Sequence, residues 1–381
     1  MPERILLLSR SVPPETTGSA VVVLNLAKQF SRAEMVVAGE HPHGRPAIVW
    51  KEEWPEIVYL IKGWSQTSRG TRWRRRTKFP WLIFRCLRLV RKYKCKAIVA
   101  VFPNEDFLLA GYVVSVLTRA KFYPYFHNTY LEQCQLGSLH YRFARWFQSR
   151  VFTRAKHIFV MSEGMVQLYR ERYPDLKCSA LVHSFNEDIP EFNRPPQPGT
   201  SMRFAMCGNI NESCAEATVR VCAAIRQLDS PLTILSGTAR TYLRRLGILQ
   251  GKVRYETVSW GLMVQRLEEA DIVVLAHGFK GGLSKEEYST IFPTRTIEYL
   301  ICGRPILAHA PADCHLTRFL REQGCALVVD EPSVEAILAA IQRLYEDGDL
   351  RSFLVRNALR TAELFRAPVV AAALRLALAK S

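Results

Sequence analysis

Acidic side chains are missing from the whole stretch between Glu56 and Glu105 of this 381-residue chain. A solvated helix face does not need such a run, so the gap directs attention to an anionic partner. Cysteine pairs are missing too. The ten cysteines, Cys86, Cys95, Cys134, Cys178, Cys207, Cys214, Cys222, Cys302, Cys314 and Cys325, are scattered singly, with no C-x-x-C and no Cys/His cluster at zinc spacing. That excludes a zinc-knuckle fold and a disulfide framework, and predicts small buried hydrophobes in a reducing cytosol. No apolar run approaches the roughly 18 residues that would mark a membrane-spanning helix. The best candidate, Ala367 to Ala379, is short and carries Arg375. The first ten residues, MPERILLLSR, hold too short an apolar core for a secretory signal. There is no internal repeat at solenoid period and no low-complexity tract. The only D-x-D, Asp347-Gly348-Asp349, follows an amphipathic helical pattern and reads as a polar turn, so no metal is expected.

What is present is a soluble globular composition, 48% hydrophobic and 23% charged, long enough for two domains with separate cores. The net charge is +17, and residues 1–200 carry +14 of it. Short apolar strands alternate with helical patterns. Strands are predicted at Ile5–Ser9, Met35–Ala38, Ala97–Phe102, Phe122–Phe126 and His157–Met161, with a helix from Ser19 to Phe30. The pattern restarts at Arg203–Cys207 and continues through Leu232–Leu235, Val253–Glu256, Ile272–Ala276, Ile306–Ala310 and Ala326–Val329, with helices at Ala215–Leu228 and Val334–Tyr345. Strand–helix alternation of this kind argues parallel sheets with crossover helices, hence two Rossmann-like α/β/α domains. Between them lies NEDIPEFNRPPQPGTS, Asn186 to Ser201, with four prolines and no apolar periodicity. The expected domains are residues 1–190 and 202–366, with a linker at 191–201, facing each other across a cleft. Ligands of open α/β sheets bind at the carboxyl ends of the strands.

The densest motif is Ile291 to Cys302, IFPTRTIEYLIC, followed by Gly303-Arg304-Pro305-Ile306. Pro293 suits a first helical turn, and Gly303 with Pro305 stops the helix. A helix starting within Phe-Pro-Thr-Arg-Thr offers backbone N–H groups, the hydroxyls of Thr294 and Thr296, and the guanidinium of Arg295 at its positive end. Glu298, one turn on, reaches a ribose or sugar hydroxyl. The set suits a nucleotide diphosphate. Other strand ends supply further candidates. The loop SRSVPPETTGS, Ser9 to Ser19, precedes a helix but lacks G-x-G-x-x-G spacing. His127 follows a strand, where a structural role competes with a functional one. His277 follows another, with a turn role as the alternative. Tyr255 and Trp260 read as base-stacking residues or, better, as core packing.

The motif at 291–306 resembles the donor site of retaining glycosyltransferases with the GT-B fold, family 4, in the variant F-P-[ST]-[KR]-x-x-E-Y-L-x-x-G-[KR]-P. The resemblance extends in order and spacing along nearly the whole chain. It implies a UDP- or GDP-linked nucleotide sugar as substrate, with no separate cofactor, bound mainly by the second domain. It implies donor contacts from Gly208, Asn209, His277, Thr290, Thr294, Arg295, Thr296 and Glu298. It further implies that Gly18 and Ser19 form the glycine loop near donor and acceptor, that His127 holds the transferred sugar, and that the last helix, residues 367–381, returns to the first domain. There are departures. Asn209 and Glu212-Ser213 stand where relatives carry Arg or Lys and then Lys, so Arg295 is expected to supply the charge. Ser19 replaces the second glycine, and Asn128 a frequent Asp. Thr290 replaces the first of two glutamates, so a glutamate nucleophile is not expected there.

The acid-free stretch holds twelve Lys and Arg from Arg69 to Lys96, with aromatics interleaved. Leu82, Cys86, Leu89/Val90 and Tyr93 form an apolar stripe that packs on a core. The run around Arg72, Trp73, Arg74, Arg75, Arg76, Lys78 and Trp81 fits an anionic bilayer interface. No nucleic-acid motif accompanies the charge. The expectation is therefore a cytoplasmic, peripheral-membrane, metal-independent glycosyltransferase of polysaccharide biosynthesis, acting with retention on a glycan or lipid-linked saccharide. The rivals are a nucleotide-sugar epimerase or hydrolase of the same fold and a non-catalytic nucleotide-binding or scaffold protein.

Overall fold

The computed structural model describes residues 4–15, 18–41, 49–62, 69–199 and 201–380; the side chains of residues 62, 69–76 and 260 are not among them. The chain divides into unit 1, Met1–Asn186 with Arg366–Ser381, and unit 2, Glu187–Phe365.

Unit 1 runs β1 (Ile5–Leu8), α1 (Ser19–Ala27), β2 (Met35–His41), β3 (Glu56–Lys62), α2 (Arg69–Tyr93), β4 (Ala97–Phe102), α3 (Glu105–Thr118), β5 (Lys121–Phe126), α4 (Leu139–Arg154), β6 (Ile158–Val160), α5 (Glu163–Arg172) and β7 (Cys178–Ala180). Its sheet has the order β3-β2-β1-β4-β5-β6-β7, all parallel. The central strands are covered on both faces, which is why they read as continuous apolar runs; every residue of β1 and β4 is buried. The edge strands β3 and β7 lie outside the predicted set: β7 is three residues long with a serine at its centre, whereas β3 holds the unbroken apolar run Ile57–Ile61. On α2, Leu82, Cys86, Leu89 and Val90 are buried, as the stripe requires. The helix nevertheless starts earlier than the stripe, at Arg69, and carries Pro80 inside it.

Unit 2 runs β8 (Phe204–Cys207), α6 (Ala215–Gln227), β9 (Leu232–Leu235), α7 (Arg240–Arg245), β10 (Val253–Glu256), α8 (Met263–Leu267), β11 (Ile272–Ala276), α9 (Lys285–Thr290), α10 (Thr296–Ile301), β12 (Ile306–His309), α11 (His315–Gln323), β13 (Leu327–Val329), α12 (Val334–Glu346) and α13 (Gly348–Ala362). Its order, β10-β9-β8-β11-β12-β13, is also wholly parallel. Both sheets thus share one winding. Connections leave the first strand in one direction and then return past it, so each sheet has a switch point, β1/β4 in one and β8/β11 in the other. Asp347 of the D-x-D caps α13, accepting from Leu350 N at 2.7 Å.

The final helix, α14 (Ala367–Ala379), belongs to unit 1. Val370, Ala371 and Leu374 enter its core, and Arg375 lies 4.2 Å over the Phe30 ring and bonds Glu34. All ten cysteines are free, and nine are buried. No helix among the described residues is long and apolar enough to cross a membrane.

A tight approach holds the loop after β1. A Cβ on Gly39 of β2 would run into the Ser9 carbonyl and stand 2.5 Å from Val12 Cγ1. Gly39→Ala is expected to overpack this corner and destabilise unit 1 by about 1–3 kcal/mol, measured as a lower midpoint of its unfolding transition.

Candidate functional site

In unit 2 the site residues gather at the β8/β11 switch point. β8 ends at Cys207, and the chain turns through Gly208 at φ 90°, a left-handed conformation that favours glycine. A Cβ there would also stand 2.9 Å from Arg295 Cδ. Gly208 therefore makes room for the arginine as well as for the turn. The Arg295 guanidinium lies across the two strand ends: one nitrogen donates to the Asn209 carbonyl at 3.0 Å, the other to the Ala276 carbonyl at 2.8 Å. Beneath it, Cys214 contacts the same guanidinium. Burial pushes its thiol up, but the arginine's charge, with hydrogen bonds, outweighs this and leaves the thiol below its ordinary range. The Tyr299 hydroxyl, one turn along α10, accepts from Cys207 N at 2.7 Å and donates to Cys207 O at 3.3 Å. Glu298 is half-buried beside Cys207, whose thiol is raised by burial and then by that carboxylate.

The loops beyond these strand ends are stitched together. Gly278 N donates to Ser213 O at 2.7 Å, and the Tyr288 hydroxyl donates to Glu212 O at 2.9 Å. Asn209 is exposed, and its side-chain oxygen accepts from Gly237 N at 3.2 Å. Tyr255 does not present a free ring edge: its hydroxyl lies 2.8 and 2.7 Å from Ser236 O and Thr238 O, and its one proton is shared between them or given to one, tying down the neighbouring loop. The Trp260 side chain lies outside the described residues.

The expected donor residues differ in how they are placed. α10 begins at Thr296, later than the motif suggested, and the Thr296 and Ile297 N–H groups already donate to Pro293 O and Thr294 O. Thr294 is exposed, but Thr296 is fully buried, its hydroxyl without a partner. Thr290 is buried and turns its hydroxyl back to Glu286 O at 2.8 Å. His277 is also fully buried; its Nε2 lies 2.9 Å from Tyr288 O, the geometry of an Nε2–H donor. These three side chains shape the floor of the site without opening onto it. Polar residues after a strand read alike in sequence whether they face inward or outward.

Unit 1 forms a second cluster at its own strand ends. His127 leaves β5 with Nδ1 2.9 Å from the Ser19 hydroxyl and its ring edge-on to Tyr125 at 4.4 Å. Its Nε2 is buried without a partner. Gly18, at φ 51° with open space around its Cβ direction, is needed for backbone conformation rather than for room. The sequence reading missed His183, which follows β7. It is buried, its Nδ1 is likewise without a partner, and it is close enough to weaken the proton affinity of His127. Its signal was a second histidine just after a short strand, masked by the polarity of that strand. The side chains of Arg72, Trp73, Arg74, Arg75 and Arg76 lie outside the described residues, while Lys78 is half-buried and Trp81 is exposed.

Burial, and then the nearby His183, holds His127 down to about 3. Burial alone holds His183 down to about 4, and it is the main cause of values of about 4 at His277, His309 and His315. All five lie below the ordinary 6.5. Above that pH both folded and unfolded chains hold these rings neutral. Below it the unfolded chain takes up protons that the folded chain refuses, so stability falls from about pH 6.5 towards pH 4. Thermal unfolding is expected to show a progressive loss of stability from about pH 6.5 down towards pH 4, and His127→Asn should flatten it.

Residues 17–177 match the model of a glycosyl transferase 4-like domain. No curated protein sequence matches the chain. Among solved structures it is similar to the sucrose-phosphate synthase of Thermosynechococcus elongatus, at 15% identity, full coverage of both chains and a TM-score of 0.74. It is similar to Anabaena HepE in complex with UDP-glucose, at 14% identity, full coverage of both and a TM-score of 0.72. A glycosyltransferase from Rickettsia africae aligns at 13% identity over 98% of each chain, with a TM-score of 0.69. These likenesses establish the GT-B fold, two parallel-sheet α/β domains in one chain.

Proposed function

We propose that this protein is a glycosyltransferase that takes its sugar from a UDP- or GDP-linked donor and passes it, with retention, to a glycan or lipid-linked acceptor. The carrying observation is Arg295, whose guanidinium spans the β8 and β11 ends over Gly208. A cation at the switch point of a parallel sheet is where a diphosphate is received. Two of its N–H groups hold carbonyls, which leaves donors of the planar fork for phosphate oxygens. The match of residues 17–177 to a glycosyl transferase 4-like domain and the UDP-glucose bound by HepE support the same reading.

In this reading Arg295 stabilises the leaving diphosphate and needs no metal to do so. Glu298 anchors the ribose or the sugar, and the leaving phosphate takes the acceptor proton. His127, uncharged and oriented by Ser19, offers Nε2 to the transferred sugar. Unit 1, which carries most of the positive charge, receives the acceptor, with the Arg69–Lys96 stretch at an anionic membrane surface on the cytoplasmic side.

The test is a thermal-shift screen of UDP, GDP, ADP and their common sugars. A nucleotide at 100 times its Kd stabilises the folded state by about 2.7 kcal/mol, and Arg295→Ala is expected to abolish that shift and to lower transfer about 100-fold or more. Arg295→Lys keeps the charge without the fork and should recover part of the shift. No shift with any nucleotide at millimolar concentration would overturn the proposal and favour a non-catalytic protein; donor turnover without acceptor would favour an epimerase or hydrolase. In a second variant, Gly208→Ala, the new methyl pushes against the Arg295 side chain. Nucleotide affinity is expected to drop about tenfold, a loss of about 1.4 kcal/mol, checked by calorimetric titration.

A further inference from the structure

A cavity of about 800 Å³ opens on the helical flank of unit 1, between α3 and α4. Its walls carry Arg142, Arg145, Arg150 and Arg154 from α4, with Trp146 between them and Tyr112 from α3. The spacing explains the convergence. Positions 142, 145/146, 149/150 and 153/154 recur at three and four residues, so they share one side of the helix, while Ala144, Phe147, Gln148 and Val151 are buried on the other. Arg154 is a fixed part of the wall, donating to Ser115 O at 2.8 Å and Ala120 O at 3.0 Å. Arg150 lies 4.8 Å over the Trp146 ring, which holds its guanidinium at the rim. Arg142 and Arg145 are exposed.

No acidic residue occurs from Gln133 to Ser162, so α4 and its flanks offer these arginines no partner of their own. From Ile57 to Ser162 the acids are Glu105, Asp106 and Glu132 alone. Glu105 is engaged by Tyr130 and His140, at 2.7 and 2.8 Å, and Glu132 by Arg172 at 3.1 Å. Clustered guanidinium forks without a countercharge select a phosphate-like anion. The same helix and the turn before it also expose large apolar side chains. Leu136 and Leu139 at its start are 79% and 83% exposed, and Trp146 is 51% exposed. Apolar residues flanking an arginine-lined hollow suit the boundary between headgroups and acyl chains, where Trp is favoured and each basic residue near an anionic surface adds attraction. A freely soluble phosphate compound would leave Leu136 and Leu139 in water.

We propose that the α3/α4 cavity is a binding site for the phosphate of an anionic lipid headgroup, with Leu136, Leu139 and Trp146 resting in the interface around it. None of the cavity's described lining residues belongs to the Arg69–Lys96 stretch. It deepens the membrane-facing part of the proposed function and stands independently of the donor assignment.

The test is co-sedimentation of the full chain with vesicles of phosphatidylcholine alone or with about one-third phosphatidylglycerol, at about 0.15 M salt. The variants are Arg142→Gln/Arg145→Gln/Arg150→Gln, Trp146→Ser, and Arg74→Gln/Arg75→Gln/Arg76→Gln. Wild type is expected to bind the anionic vesicles only. The α4 triple variant should lose at least about tenfold in partitioning, and Trp146→Ser a severalfold share, while the nucleotide thermal shift is unchanged in both. Arg154 is spared because it holds backbone carbonyls. Loss confined to the 74–76 variant would overturn the cavity site while leaving a membrane role for α2. Absence of vesicle binding by wild type would overturn both. A thermal shift with inorganic phosphate that the α4 variant loses, without vesicle binding, would assign the cavity to soluble phosphate compounds and overturn the lipid source.

Discussion

One guanidinium fixes the geometry of unit 2. The ends of β8 and β11 diverge at the switch point, because the connections that follow them wind away in opposite directions. Each end leaves backbone carbonyls with no strand neighbour to satisfy them. Arg295 supplies donors to both, Asn209 O on one side and Ala276 O on the other. The rest of the site is arranged around that side chain. Gly208 is vacant where its methylenes pass, Cys214 supports it from below, and Tyr299 locks the strand from which Gly208 departs. The residue that would meet a diphosphate therefore also closes the sheet edge it would act from. Its orientation is set before any ligand arrives, which is the condition for electrostatic stabilisation to be effective.

Much of this could be read in the residues. The predicted strands at Leu232–Leu235, Val253–Glu256 and Ile272–Ala276 coincide with β9, β10 and β11; β11 is buried along its whole length, as a parallel strand covered on both faces is. The edge strand β7, three residues with a serine at its centre, hides among loops, whereas β3 carries an apolar run, Ile57–Ile61, that was legible. At the site, residue type predicted location better than direction. Arg295 was picked out by its motif and does sit at the switch point. Thr290, Thr296 and His277 lie in the same neighbourhood but point inward. Whether a hydroxyl turns to its own helix or to a ligand depends on packing that one sequence does not encode locally. Cys214 was read as a small hydrophobe, and only the fold brings it under Arg295.

The two units differ in what charge does for them. In unit 2, cations are matched to partners: Arg203 with Asp271, Arg266 with Glu256, Arg220 with Glu216. The arginines of α4 have no such partners on their own helix, and the Arg69–Lys96 stretch contains no acid at all. Charge left uncompensated on one domain raises self-repulsion that folding must overcome, unless an external anion relieves it.

The path of the backbone has a consequence for synthesis. Unit 2 is one unbroken segment, Glu187 to Phe365, whereas unit 1 is completed only by Arg366 to Ser381. The chain leaves and re-enters unit 1 side by side, where Phe185 pairs with Arg366. Until α14 emerges from the ribosome, the groove by Phe30 and Glu34 that takes Val370, Leu374 and Arg375 stays open to water. The first domain to be made is thus the last to be sealed. A nascent chain halted before residue 366 would hold a finished second unit and an unfinished first, and loss of the last sixteen residues would remove an element of the first unit's core.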